Sequence, residues 1–144
     1  MLRVLTKIPV PSGSSLGLKL SSTPHLIREL RRGLPFHTLE ALSSKTEIPL
    51  RELAALIGLP SRTFARRKST GRLAPAESER LLRISRIFEF SVNLFNGRVP
   101  EAVAWLRSPN RALAGSAPLE YSSIEVGARE VENLIGQLEH GVFP

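Results

Sequence analysis

Residues 50–69 read LRELAALIGLPSRTFARRKS, a pattern that predicts a helix, a short turn at Gly58 and a second helix. Leu53 and Phe64 are apolar where two short helices would pack, and Ala54 is small where the helices would cross closely. Gly58 lies between them and can take the positive φ that a tight turn requires. The pattern predicts a helix-turn-helix unit, whose second helix enters the major groove of DNA.

The second of these helices is strongly basic. Residues 61–72 carry five basic side chains and no acidic one. We expect Ser61 to cap the helix, its first residues to reach base edges, and the later cations to contact phosphates. An arginine that donates two hydrogen bonds to guanine contributes about 1–3 kcal/mol of discrimination. The predicted DNA contacts are Ser61, Arg62, Thr63, Ala65, Arg66, Arg67, Lys68 and Arg72.

The same residues allow other interpretations. A basic helix of a bundle can simply face solvent, and many helix pairs turn at a glycine. A helix-turn-helix unit can also serve assembly alone. In addition, Arg67 stands where many such units have an apolar residue, which indicates a short or tilted second helix.

Charge is distributed unevenly along the 144 residues, whose formal net charge is +7. Residues 1–24 carry +3 and residues 25–72 carry +6. Residues 73–106 are neutral, and residues 107–144 carry −2. This gradient indicates two working surfaces, one for a polyanion such as nucleic acid and one for a different partner.

Composition excludes several classes of chemistry. The chain has no cysteine, which rules out disulfides, thiolate metal sites and a cysteine nucleophile, and its three histidines leave little for a metal centre. Glu77 and Glu79, like Glu130 and Glu132, are two residues apart and would point to different faces of a helix. We therefore expect no enzyme, no cofactor and no metal. Since no run of about 18 apolar residues occurs, we expect no membrane span. The absence of cysteine fits a reducing compartment, so we expect a cytoplasmic protein.

Apolar residues recur at three- and four-residue intervals, so the predicted fold class is all-α. Residues 1–22 are rich in Pro, Gly and Ser and predict a flexible arm. Residues 23–97 are predicted to form the helix-turn-helix domain with a long connecting helix that starts near Pro75. Residues 98–144 are predicted to form a small C-terminal helical domain. In its last helix we expect one packed face, formed by Ile124, Gly127, Val131, Leu134 and Leu138.

Two residues of the C-terminal domain suggest how it packs. Trp105 is expected to pack in the core rather than to contact a partner. Gly127 within the last helix costs about 1 kcal/mol relative to alanine. Its presence indicates close approach of another helix, either within the domain or across a dimer.

The C-terminal segment resembles a known family. Residues 102–121 read AVAWLRSPNRALAGSAPLEY, and residues 127–144 read GAREVENLIGQLEHGVFP. Both resemble the C-terminal domain of Xre/MbcA/ParS-type antitoxins, and residues 61–88 resemble the helix-turn-helix region and connecting helix of the same family. Ala114–Gly115 stands where the family often has a glycine pair. The elements that carry the resemblance are Trp105–Leu106, Pro109–Asn110, Ala112–Leu113, Gly115, Pro118–Leu119, Gly127–Ala128, Val131 and Gly141–Val142–Phe143.

The resemblance implies an antitoxin of a type II toxin–antitoxin pair. Its expected partner is a RES-domain toxin that acts on NAD, and the antitoxin is expected to block the active site of that toxin. It is also expected to form a homodimer, to assemble with the toxin into a hetero-oligomer, and to repress their shared promoter by binding operator DNA. The alternative is a stand-alone helix-turn-helix repressor, which the absence of a toxin gene beside this one would favour.

The C-terminal domain is net negative and ends in an apolar tail, which suits a basic pocket that receives an anionic dinucleotide. We therefore hypothesise that Glu132, Glu139 and the terminal carboxylate after Pro144 mimic substrate charge. Whether Arg111 is exposed or paired with a glutamate stays open at this point. The predicted toxin-binding residues are Arg111, Glu132, Glu139, His140, Gly141, Val142, Phe143 and Pro144.

Overall fold

A computed structural model describes residues 13–141, and eight α-helices follow one another within that range. It contains no β-strand there beyond one isolated bridge between Pro35 and Arg72, so the all-α prediction is confirmed. Within residues 13–141, no helix has the length and apolar character needed to cross a bilayer. The helices are α1 Thr23–Arg32, α2 His37–Thr46, α3 Leu50–Leu56, α4 Ser61–Thr70, α5 Pro75–Leu94, α6 Val99–Leu106, α7 Pro118–Tyr121 and α8 Glu125–Glu139.

Helix α5 is the central helix of the fold, and α1, α6 and α8 pack against it. Its 20 residues make it about 30 Å long. Leu81, Ile84 and Ile87 are buried along it at helical spacing. Ser78 and Ser91 are also fully buried, and their hydroxyls donate to the backbone carbonyls of Ala74 and Ile87, so neither is left unsatisfied. These small side chains let neighbouring elements approach α5 closely.

The N-terminal half closes around the pair α3–α4. The amide of Phe36 donates to the carbonyl of Gly71 at 2.8 Å, and the amide of Leu73 donates to Leu34 at 2.9 Å. These bonds join the chain before α2 to the chain after α4. Gly33 stands at this junction with φ 91°, and a Cβ atom there would run into the carbonyl oxygen of Leu73. The junction therefore requires glycine.

Residues 13–17 differ from the predicted flexible arm. A 3-10 turn spans Ser14–Leu16, and Leu16 is completely buried in the core. The hydroxyl of Ser15 donates to the Glu89 carboxylate at 2.6 Å, and Lys45 donates to the Ser14 carbonyl at 2.9 Å. Because one leucine and these hydrogen bonds hold the turn on α2 and α5, it belongs to the fold. Residues 1–12 of the predicted arm lie outside the described residues.

Close backbone contact holds the C-terminal helices together. Gly127 in α8 lies against the end of α7, and a Cβ atom there would meet the carbonyl oxygen of Tyr121. The close approach predicted for this glycine is therefore made within the domain. Trp105 is half-buried, packs against the core and contacts the Phe95 ring with centroids 6.3 Å apart, in agreement with its predicted packing role.

The packed face predicted for α8 is found in the structure, except for its first residue, Ile124. Ala128, Val131, Leu134 and Ile135 are buried against the rest of the core. Ile124 was expected to join them, but it occupies the N-cap position with extended backbone, and 67% of its surface is exposed. The helical period does not apply before the first helical residue, so the side chain of Ile124 points out of the domain.

Candidate nucleic-acid interface and C-terminal partner surface

Helix α4 presents a basic face opposite its buried side. Phe64 is 5% exposed and meets the Phe36 ring edge-to-face with centroids 5.4 Å apart. Arg62, Ala65 and Arg66 are exposed on the other side, at the spacing of a single helix face. The structure thus places three of the predicted DNA contacts, Arg62, Ala65 and Arg66, on one solvent-facing surface, and Thr63 is half-buried. Ala65 is small, so it lets the helix approach a groove closely between the two arginines.

The turn that orients α4 is fixed from two sides. Gly58 has φ 74°, and the amide of Leu59 donates to the carbonyl of Ala54 at 2.9 Å. From α5, a guanidinium nitrogen of Arg80 donates to the carbonyl of Ile57 at 3.1 Å and satisfies the end of α3. The helix-turn-helix predicted around Gly58 is therefore present, and the connecting helix holds its turn.

The N-terminus of α4 differs from the prediction by one residue. Pro60 occupies the N-cap position, and Ser61 is the first helical residue, so the predicted Ser61 cap is wrong. Within residues 13–141, no side chain caps this end of the helix by a hydrogen bond. Its first amide groups and the positive end of the helix dipole therefore face outward beside Arg62.

Arg67 has a structural partner. Its guanidinium forms two hydrogen bonds to the carboxylate of Glu77, Nε to Oε1 at 2.9 Å and Nη2 to Oε2 at 3.2 Å. Glu77 is 6% exposed, and its carboxylate also accepts from the amide of Ala74 at the start of α5. The pair ties α4 to α5. Helix α4 is complete to Thr70, so the short helix that Arg67 suggested is not found.

The electrostatics of this pair favour its charged form. Burial raises the pKa of the Glu77 carboxyl, but the hydrogen bonds from Arg67 and Ala74, with the charges of Arg67 and Arg80, outweigh burial and hold that pKa below its usual value. The hydrogen bond to Glu77 in turn raises the pKa of Arg67.

The remaining cations of the predicted set divide into two groups. Arg72 is half-buried, and its Nη1 donates to the carbonyl of Gly33 at 2.6 Å, so it helps to close the N-terminal half. Arg62, Arg66 and Lys68 are exposed and form no ion pair with any residue of the range 13–141. These three can give their full charge to a polyanion.

The predicted toxin-binding residues are spread over the C-terminal domain. Arg111 is exposed in the 3-10 turn Arg111–Leu113, which packs on α8. Glu132 is half-buried and forms an ion pair with Arg86 of α5 at 3.4 Å. Because this pairing lies within the chain, Glu132 also contributes to the packing of α8 on α5.

The end of α8 is exposed. Glu139 is its last residue and stands two turns beyond Glu132 on the same face. His140 and Gly141 follow, and Nδ1 of His140 lies 2.8 Å from the carbonyl oxygen of Gly136. Val142, Phe143 and Pro144 lie outside the described residues. Arg111 thus lies in a 3-10 turn outside α8, whereas Glu139, His140 and Gly141 follow one another at the C-terminal end of that helix.

The family comparisons match both halves of the chain. The profile of the antitoxin Xre-like helix-turn-helix domain matches residues 25–86, and that of the antitoxin Xre/MbcA/ParS C-terminal toxin-binding domain matches residues 92–141. A protein named Antitoxin Xre from Yersinia enterocolitica serotype O:8 / biotype 1B is 36% identical over 129 residues, which cover 89% of this chain and 87% of the relative. A second Antitoxin Xre, from Photorhabdus laumondii subsp. laumondii, is 33% identical over 133 residues, covering 92% and 90%.

This chain belongs to the Xre antitoxin family. As an Xre-family antitoxin with a helix-turn-helix domain and a toxin-binding domain, it is a regulatory protein and not an enzyme. The resemblance found in the sequence is confirmed at this level. The finer expectations, a RES-domain partner that acts on NAD and a homodimer, remain proposals.

One further basic residue of this Xre-family antitoxin was missed by sequence reasoning. Arg51 is exposed on α3, and its guanidinium carbon lies 4.0 Å from the centroid of the Phe64 ring, a cation–π contact. Arg51 also lines a groove with Pro60 and Ser61, so it stands beside the start of α4. This contact could not be predicted from sequence spacing, because Arg51 and Phe64 lie in different helices on either side of the turn.

The helix-turn-helix unit and the toxin-binding domain of this antitoxin also touch directly. Arg107, at the end of α6, forms an ion pair with Glu52 of α3 at 2.8 Å. A cleft of about 670 Å³ opens beside this pair and is lined by residues of α3, α5 and the α7 region, among them Arg80 and Glu120. Its mixed charges do not favour one class of ligand.

Proposed function

We propose that this antitoxin binds a RES-domain toxin whose substrate is NAD, and that it neutralises this toxin by covering its active site. We also propose that it represses its own operon by binding operator DNA. The observation that carries the DNA part is the face of α4, on which Arg62 and Arg66 are exposed and unpaired within residues 13–141 while Arg67 is held by Glu77. We place this activity in the cytoplasm, where DNA and toxin are both accessible.

On the DNA side, Arg62, Ala65 and Arg66 face base edges and Lys68 contacts a phosphate. Ser61 and Thr63 lie at the outward-facing N-terminus of α4, where amides and hydroxyls can bind a phosphate. Arg67 and Arg72 act mainly by keeping α4 in position, since both already have partners in the fold. A homodimer would place two α4 helices on half-sites about 34–36 Å apart or a multiple of that spacing.

On the toxin side, the proposal uses the acidic C-terminal domain. A pocket that receives a dinucleotide must carry positive charge, which favours insertion of a negative segment. The end of α8, with Glu139, His140 and Gly141, continues in the sequence into the apolar residues 142–144. Glu132, two turns before Glu139 on α8, and Arg111 in the 3-10 turn are further toxin contacts in this proposal.

DNA binding is tested by fluorescence anisotropy with the DNA upstream of the gene. The double variant Arg62→Ala/Arg66→Ala is expected to bind at least tenfold more weakly and to lose sequence preference, since each base contact contributes about 1–3 kcal/mol. Lys68→Ala should weaken all sequences alike and reduce the salt slope by about 1. The charge-matched control is Arg98→Ala/Arg129→Ala, which removes two exposed arginines of surface pairs. Unchanged affinity in the first variant would contradict the DNA assignment.

Toxin neutralisation is tested by co-expression with the product of the adjacent gene. The complete chain is expected to restore growth, to prevent loss of NAD and to co-purify with that product. Deletion of residues 139–144 should abolish rescue, whereas operator binding by the truncated chain should persist and show that it is folded. Full rescue by the truncated chain would refute the proposed role of the tail. An adjacent gene that encodes no toxin would favour the stand-alone repressor instead.

A further inference from the structure

The corner between α7 and α8 exposes two large apolar side chains. Ile124 and Val126 have 67% and 70% of their surfaces exposed, and among residues 13–141 Ile27 is the other large apolar side chain that is similarly open, at 42%. Single exposed apolar residues are common on proteins, but a pair that shares one groove marks an interaction site more often. Ile124 and Val126 line the same shallow groove of about 320 Å³, together with Tyr121.

This corner is rigid. The backbone of Gly127 lies directly against the carbonyl of Tyr121, so α7 and α8 cannot separate without losing their contact. From α5, Arg83 donates to the carbonyl of Ser123 at 3.2 Å and to the carboxylate of Glu125 at 3.2 Å. Because these contacts fix the turn before α8, Ile124 and Val126 are presented in one arrangement. A preorganised surface binds a partner at a lower entropic cost.

The rim of this groove is acidic. Glu120 lines it, and Glu130 lies next to it, where its carboxylate accepts a hydrogen bond from the hydroxyl of Tyr121 at 3.2 Å. Neither glutamate forms an ion pair with a residue in the described part of the chain, whereas Arg129 is paired with Glu125. Glu125 also pairs with Arg83, so the two glutamates without an ion pair in residues 13–141 leave a net negative charge beside the apolar centre.

The charge of the rim identifies the kind of partner. A second copy of this chain, related by a twofold axis through the groove, would bring Glu120 and Glu130 of both copies together, and like charges oppose such a contact. A partner with a basic rim around an apolar pocket would satisfy both the centre and the rim. Residues 92–141, which include this corner, match the toxin-binding domain of the family, and this match favours the toxin as that partner.

We propose that the Ile124–Val126 corner is a second docking site for the toxin, which receives these two side chains in an apolar pocket bordered by basic residues. This inference rests on the proposed function but adds a site away from the tail at residues 139–144, since Ile124 and Glu139 stand at opposite ends of α8. The corner supplies affinity, and the tail covers the active site.

The experiment measures the affinity of full-length variants for the purified product of the adjacent gene. Ile124→Ser and Val126→Ser are each expected to weaken binding about tenfold, and the double variant about 100-fold, because central apolar contacts dominate protein interfaces. Operator binding should be unchanged in all of them, which shows that the fold is intact. Ile27→Ser is the matched control, since it removes an exposed isoleucine from α1.

The possible outcomes separate the two proposals. If the parent chain binds the adjacent product and the double variant binds equally well, the docking site is refuted and the proposed function stands. If the double variant lowers the solution mass of the antitoxin alone without changing toxin affinity, the corner is a contact between copies, and the inference is again refuted. If the parent chain does not bind that product, the proposed function fails and this inference fails with it.

Discussion

The ion pair between Arg67 and Glu77 gives the sharpest prediction for stability. The carboxylate of Glu77 accepts three hydrogen bonds, two from Arg67 and one from the amide of Ala74, while it is almost completely buried. The substitution Glu77→Gln keeps the size of the side chain and one carbonyl oxygen. It removes the negative charge and turns an amide NH₂ group towards the guanidinium, which is also a donor.

The expected cost is about 2–3 kcal/mol. Hydrogen bonds to charged groups contribute about 1.5–3 kcal/mol each. A glutamine whose carbonyl oxygen takes the place of Oε1 can keep the bonds from Arg67 Nε and from the Ala74 amide, but it loses the bond from Arg67 Nη2 to Oε2. Breaking a fully buried pair costs about 3–5 kcal/mol, but the Arg67 side chain is 23% exposed and can recover some hydration. The loss is a large part of the stability of a small domain, which is about 5–15 kcal/mol.

Urea denaturation followed by circular dichroism measures this cost, and its pH dependence tests the cause. Since the pKa of Glu77 in the folded state lies below its usual value of 4.5, the pair stabilises the fold fully above that value. Its contribution is lost as the pH falls through the lower, folded-state pKa. The midpoint difference between the parent and Glu77→Gln should therefore be constant near pH 7 and should shrink in the acid range below 4.5.

The matched control is Glu79→Gln, which makes the same chemical change at an exposed position of α5, two residues further on. It should change stability by less than about 0.5 kcal/mol. Equal midpoints for the parent and Glu77→Gln at pH 7 would refute the argument that this pair holds α4 on α5. A midpoint difference that persists unchanged into acid would show that shape, and not charge, causes the loss.

Three further substitutions test the backbone and the core by the same urea assay. Ala114 has φ 57°, so Ala114→Gly should stabilise the fold by about 0.5–1 kcal/mol, and a loss of stability would contradict the assigned backbone strain. Gly127→Ala should destabilise by more than about 2 kcal/mol, because the new methyl group meets the carbonyl of Tyr121; a neutral effect would refute that close contact. Leu16→Ala should cost about 2–4 kcal/mol, and a change below 0.5 kcal/mol would show that the N-terminal turn is not part of the core.

The fold class and the helix-turn-helix were predictable because both depend on local patterns. Apolar residues at helical spacing mark α5, and Gly58 between two short apolar stripes marks the turn. The docking of Ser14–Leu16 was not predictable, since the hydrogen bond from Ser15 to Glu89 joins residues 74 positions apart. Nothing in a segment rich in serine and glycine signals that one leucine enters the core.

In the candidate site, too, the features set by local helix geometry were predictable and those set by contacts between helices were not. The exposed face with Arg62 and Arg66 follows directly from helical geometry once Phe64 is assigned to the core. The role of Arg67 could not be read from its helix, because its partner lies at the start of the next one. Ile124 was misassigned because a packed helix face was extended by one residue across the boundary of α8.

The arginines of α5 have a consequence for exchanging parts between relatives. Arg80 holds the turn of the helix-turn-helix, Arg83 holds the turn before α8, and Arg86 pairs with α8 itself. Both halves of the chain therefore pack against side chains of α5. A chimera made at the turn after α5 would combine the helix-turn-helix domain and α5 of one relative with the toxin-binding domain of another. Its α5 would then carry arginines that match a different toxin-binding domain. Chimeras that also transplant the outer face of α5 should be the ones that fold and combine the two specificities.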